Sequence, residues 1–153
     1  MDNDDVISTL NDLIETCKDG EKGFRTCAED AEKSDLPIKE LFVDRAQSCA
    51  TAAQELQELV RAHGGTPTAS SSVSGNLHRH WLDLKTAVLG KNNEAVLNEC
   101  ERGEDVAVRS YRKALDKDLP VYVRSVVERQ YQGVLQNHDR IKSLRDQARR
   151  TSH

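Results

Sequence analysis

Apolar side chains recur along this chain at intervals of three and four, the period of a helix with one buried face. The first such series is Val6, Leu10, Leu13, Cys17, Phe24, Ala28 and Ala31. A second runs Ile38, Leu41 or Phe42, Cys49, Ala52, Leu56, Leu59 or Val60, and His63. A third is Val96 or Leu97, Cys100, Ala107 or Val108, Tyr111 and Leu115, and a fourth is Val123, Val127, Tyr131, Val134, Ile141, Leu144 and Ala148. These series predict long helices of roughly 25 to 30 residues, about 40 Å at the helical rise. No alternating, strand-like pattern competes with them.

Proline and glycine divide the series. Proline lacks a backbone donor and clashes with the preceding turn, so Pro37, Pro67 and Pro120 mark boundaries. Ser34-Asp35-Leu36-Pro37 offers capping side chains and then a proline suited to a first turn, and Asp116 to Pro120 repeats that logic. Gly64-Gly65-Thr66-Pro67 ends a helix and forbids its resumption. Thr66 to Gly75 is rich in Ser, Thr and Ala and reads as an exposed connection. Short turns near Asp35 and Leu119 make two antiparallel hairpins, while the stretch from Gly64 to Lys91 is long enough to run the length of the molecule. Within it Asn76 to Leu89 predicts a short helix whose stripe is Leu77, Trp81, Leu84 and Val88. The expected fold is therefore all-α, an up-down four-helix bundle of ferritin-like type with one long crossover, residues 1–153 forming a single domain.

Composition narrows the function classes. Aromatic residues make up 4% of the chain, so the core must be chiefly aliphatic. A net charge of −4, from 22 basic and 26 acidic residues, repels polyanions and argues against nucleic acid as a partner. Apolar runs such as Val121-Tyr122-Val123 fall far short of the roughly 20 residues a membrane span needs. The acidic opening Met1-Asp2-Asn3-Asp4-Asp5 is unlike a secretory leader, so a cytoplasmic location is expected. Cys17, Cys27, Cys49 and Cys100 stand singly, without a CxxC pair, and are expected to be free thiols serving as small hydrophobes.

Leu10-Asn-Asp-Leu-Ile-Glu, the Gly64-Gly-Thr-Pro turn, His78-Arg-His-Trp-Leu-Asp-Leu-Lys, Glu99-Cys-Glu-Arg-Gly-Glu-Asp and His138-Asp-Arg-Ile together span nearly the whole chain. With these motifs it resembles a bacterial family of ferritin-like four-helix-bundle proteins, a domain of unknown function. That resemblance implies the fold and a cytoplasmic bacterial setting, and supplies no substrate.

Candidate chemistry lies in polar residues standing on apolar seams, because an unpaired buried charge costs several kcal/mol. Glu21 falls between Cys17 and Phe24, Glu104 between Cys100 and Val108, and His138 between Val134 and Ile141. Antiparallel pairing predicts one layer holding Glu21, Cys49, Cys100 or Glu104, and His138. Carboxylate and imidazole are the ligand types of ferritin-like di-metal sites, each of which needs two Glu-x-x-His pairs. Here Leu135 stands three before His138, and the second helix reads Asp44-Arg-Ala-Gln-Ser-Cys-Ala-Thr, so that pattern is incomplete. The leading expectation is a hydrogen-bonded polar cluster that fixes helix register. The alternative is a mononuclear metal site on Glu21, Glu104 and His138, with Cys49 or Cys100 adding a thiolate that selects zinc.

His78 and His80 point about 200° apart on a helix and cannot share an ion. Nucleophile elbows, phosphate loops and dinucleotide fingerprints are absent. The basic run Arg140 to Arg150 is expected to complement the negative end of the last helix. These readings favour a non-catalytic cytoplasmic protein that acts by protein interaction, as a homo-oligomer or with another protein partner, and fold company suggests a stress setting. The competing class is a metal-binding protein, zinc or iron, or an oxidoreductase with a degenerate mid-bundle site.

Overall fold

The computed structural model describes residues 2–30, 36–69, 75–90 and 93–151. Helix α1 spans Asn3–Asp30, α2 Leu36–Ala62, α3 Gly75–Leu89, α4 Asn93–Leu115 and α5 Val121–Thr151, and no strand occurs among the described residues. The four long helices and the short crossover helix match the predicted elements. No described helix is long and apolar enough to cross a membrane.

Local chemistry sets the helix ends. Asp2 caps α1 by accepting at Oδ1 from the Asp5 amide at 2.9 Å, and Asp4 and Asp5 place negative charge against the positive end of the helix. At the end of α2, Gly64 takes the left-handed conformation with φ 81°, which only glycine adopts without strain. Its amide donates to Arg61 O and that of Gly65 to Val60 O, each at 3.0 Å, the paired bonds of a Schellman stop. Gly65 then lies so close to α1 that a Cβ there would come within 2.8 Å of Ile7.

The beginning of the crossover is not the loose connection its composition suggests. Asn11 on α1 donates to Thr66 O and accepts from the Thr68 amide at 2.9 Å, while Lys18 donates to Thr68 O at 3.1 Å. The polar side chains of α1 thus strap residues 66–69 along the helix, supplying the partners that a loop backbone needs. Residues 70–74 lie outside the described structure. In α3, Leu84 and Val88 are buried and the helix packs on α4 and α1, while the side chains of Leu77, His78, His80 and Trp81 lie outside the described residues.

Two separate hydrophobic clusters make the core. One joins Leu10, Leu13 and Ile14 of α1 to Leu56 and Val60 of α2, Val108 and Tyr111 of α4, and Val123 and Val127 of α5. The other joins Phe24 and Cys27 to Leu41, Phe42 and Ala46, then to Leu84, Val88, Leu97, Cys100 and Ile141. The early turns of α1 meet the late turns of α2, and the late turns of α4 meet the early turns of α5, so each hairpin is antiparallel. Between the clusters lie the buried polar residues Asp19, Arg45, Glu104, Gln130 and Asn137.

Two helix-interior glycines near this level differ in surroundings. A Cβ at Gly133 on α5 would meet nothing within 4 Å, whereas one at Gly20 on α1 would stand 2.8 Å from Cys49 Sγ. Gly133→Ala is therefore expected to stabilise the protein by about 0.5–1 kcal/mol through helix propensity. Gly20→Ala should lose that gain to the Cys49 contact, and adding Cys49→Ala should restore it. Urea denaturation of the three variants reads the difference directly.

Candidate functional site

The polar layer is organised by one ion pair. Arg45 on α2 donates from Nε to Glu104 Oε1 on α4 at 3.0 Å and, at 3.5 Å, from Nη2 to Oε2. Asn137 on α5 donates from Nδ2 to the same Oε1 at 2.9 Å. The Arg45 and Glu104 side chains are 10% and 2% exposed, so both charges are nearly out of water. Burial pushes the Glu104 carboxyl above its ordinary range, and Arg45 and Asn137 pull it back. Burial alone would lower Arg45, but the Glu104 carboxylate outweighs it and keeps the guanidinium charged. The face of Phe24 lies 5.9 Å from the guanidinium carbon, adding a cation–π contact.

A second hydrogen-bond chain runs alongside. Tyr111 Oη donates to Gln130 Oε1 at 2.8 Å, and Gln130 Nε2 donates to Ala52 O at 3.3 Å and Glu55 Oε1 at 3.2 Å. The Tyr111 proton is committed to Gln130, so Cys17, 3.5 Å away, is the donor in its contact with Tyr111. Burial pushes the Cys17 thiol up to about 11 and that of Cys49 to about 12, and Cys100 rises well above its usual value. These sulfurs are neutral at physiological pH and poor nucleophiles.

The two networks form the floor of a cavity of about 560 Å³ between α2 and α5. These two helices stand apart instead of packing closely, unlike α1 on α2 or α4 on α5. Across the opening, Arg140 pairs with Asp44 at 3.1 Å and Arg129 with Glu55.

Of the three seam residues expected to meet, only Glu104 enters the interior. Glu21 is half-buried and pairs with Arg25 one turn along its own helix at 3.1 Å. His138 is partly exposed on the α4–α5 seam, with Nε2 3.1 Å from Asp105 Oδ1 and 3.9 Å from Glu101 Oε1. Their neighbours face inward in their place: Gly20 is buried beside Cys49, and Asn137 is bonded to Glu104. From Cys17 to Phe24 a 3+4 spacing through Gly20 and a 4+3 spacing through Glu21 fit the helical period equally well, and the same holds for Asn137 and His138 between Val134 and Ile141. Periodicity cannot choose between such neighbours; packing does. Cys49 stands in the cavity wall, while Cys100 is enclosed in the second apolar cluster, so neither joins Glu21 or His138 in a donor set. Among the described residues no group of three or more His, Cys, Asp or Glu side chains is arranged to hold a metal ion. The oxygens of Glu104 face guanidinium and amide protons, which suits a cation already present in the chain.

Arg45 is the residue the periodic reading passed over. It stands three after Phe42 and four before Cys49, a seam position, and a basic residue there was a visible signal for a buried partner. Among the C-terminal arginines, Arg149 and Arg150 stand in the last turn of α5 as expected, and the run also ties α5 to neighbouring helices: besides Arg140, Arg145 pairs with Glu101 and Arg149 with Glu94 at 2.9 Å.

Fold and site together define an all-helical protein whose interior is divided by a compensated charge layer. The chain belongs to the family described as a domain of unknown function, DUF2383, whose model matches residues 5–117. That stretch runs from α1 through α4 and carries Arg45, Glu104 and Tyr111, while Gln130 and Asn137 fall beyond it. A comparison with proteins of curated function finds no match.

Removing one member of a buried pair strands the other, so Arg45→Met and Glu104→Leu should each cost about 3–5 kcal/mol in urea denaturation. The double variant is expected to be more stable than either single one. A disulfide-exchange reagent at pH 8 should leave Cys17 and Cys100 largely unmodified in the folded protein and label them rapidly in denaturant.

Proposed function

We propose that this protein is a non-catalytic, cytoplasmic bacterial protein of ferritin-like build that acts by engaging another protein surface, in the simplest case a second copy of itself. Supporting the absence of catalysis, the buried Arg45 and Glu104 are committed to each other, the thiols of Cys17 and Cys49 are held neutral by burial, and at the cavity mouth Glu55 is paired with Arg129. A general acid or base must be free to exchange a proton with a substrate, and a carboxylate held by a guanidinium and an amide is poorly placed to do so.

The observation that carries the binding role is at the α4–α5 end of the molecule. Val121 and Tyr122, adjacent at the start of α5, are 88% and 71% exposed, the largest exposures among the described large apolar side chains. Pro120 begins this turn, and Leu119 beside it is buried, so the pair is presented by an anchored corner. Exposed apolar surface of this kind is what a protein contact removes from water. The fold company of such bundles is the ground for placing the protein in a stress setting.

Light scattering coupled to size exclusion is expected to give a mass of two or more chains for the native protein at high micromolar concentration. Val121→Ser with Tyr122→Ser should reduce it to one chain without loss of helical circular dichroism. A native protein that runs as a single chain under those conditions overturns self-association.

A further inference from the structure

The cavity between α2 and α5 has the dimensions and wall chemistry of a ligand site. Its volume of about 560 Å³ lies within the range of small-molecule pockets, roughly 300–1,000 Å³. The space comes from residues with little or no side chain on facing helices: Gly20, Gly103 and Gly133 line it together with Ala52 and Ala107. Glycine inside a helix is unfavourable, and at Gly133 no neighbour demands it, since a Cβ would meet nothing within 4 Å. A side chain at Gly133 would therefore enter open space and narrow the cavity.

Electrostatics selects the class of ligand. Arg45 is paired with Glu104, Arg140 with Asp44 and Arg129 with Glu55. Because these cations already have their counter-charges, an ion entering the cavity would bring a charge that no fixed opposite charge is left to balance. A neutral molecule meets no such barrier. Its apolar body has Phe24, Ala107 and Val134 to pack against. Its polar end has Arg45, whose bonds to Glu104 run through Nε and Nη2 and leave the Nη1 protons for an acceptor.

We infer that the α2–α5 cavity binds an uncharged, amphipathic small molecule, with its hydrogen-bond acceptor at Arg45 and its apolar body against Phe24, Ala107 and Val134. The site is distinct from the exposed corner at Val121 and Tyr122 and does not depend on what that corner engages.

The neutral naphthalene ketone prodan is a suitable probe, because its emission reports polarity and its carbonyl is an acceptor. Titration of the full chain is expected to give saturable binding with blue-shifted emission. Gly133→Leu, which fills the cavity from α5, should weaken binding at least tenfold while helical circular dichroism and melting temperature are unchanged or higher. Ser48→Phe, from the exposed α2 wall, is expected to do the same and guards against misfolding of the first variant. Val121→Ser with Tyr122→Ser should leave prodan binding unchanged, and the anionic dye 8-anilinonaphthalene-1-sulfonate should bind more weakly than prodan. Absence of saturable prodan binding, equal binding by the folded Gly133→Leu or Ser48→Phe variant, loss of binding in the Val121/Tyr122 variant, or preference for the anionic dye would each overturn the proposal.

Discussion

A guanidinium and a carboxylate held 3.0 Å apart, both almost excluded from water, set the terms for the rest of this molecule. Either charge alone would be intolerable in an aliphatic core, so α2 must place Arg45 where α4 places Glu104. Asn137 extends the requirement to α5 by donating to the same carboxylate oxygen. A slip of one turn in any of these helices would carry a polar group into one of the apolar clusters without its partner. Aliphatic side chains are nearly interchangeable along a helical seam, and the ion pair is what distinguishes one register from its neighbours. A well-packed apolar replacement could equal its contribution to stability, which points to specificity of arrangement as its structural role.

The same layer explains why the core is divided in two and why a cavity opens beside it. Cys49 of α2 nests against Gly20 of α1, bringing those helices together at this level, while α5 presents Gly133 and Asn137 toward the gap. With little bulk on the facing side of α5, α2 and α5 are joined near the opening by Asp44–Arg140 and Glu55–Arg129. Those pairs are partly exposed and contribute modestly, of the order of 1 kcal/mol or less apiece. Most of the cohesion comes from the two apolar clusters at either side of the layer.

Desolvation also gives the interior its chemical character. It raises the thiols of Cys17 and Cys49 far above neutral pH, where they behave as small apolar groups with a weak donor. It raises Glu104 too, but there a fixed cation opposes it. The layer is thus polar in composition and chemically quiet, a combination suited to holding a shape or a guest.

The number of long helices, their approximate ends, the antiparallel hairpins and the short helix in the crossover were all legible from spacing, proline and glycine, because these signals are local and act within a turn or two. The identity of the buried polar partners was only partly legible. Glu104 was visible on its seam, but the choices of Gly20 over Glu21 and Asn137 over His138 turn on a rotation of about 100° that two equally periodic spacings permit. The strapping of residues 66–69 to Asn11 and Lys18 likewise joins segments roughly fifty residues apart in the chain, with no local mark. Secondary structure is written in neighbours, and sequence alone determined it here. Which of two adjacent side chains enters the interior depends on which neighbouring helix can offer it a partner, and only the packed tertiary structure decides that.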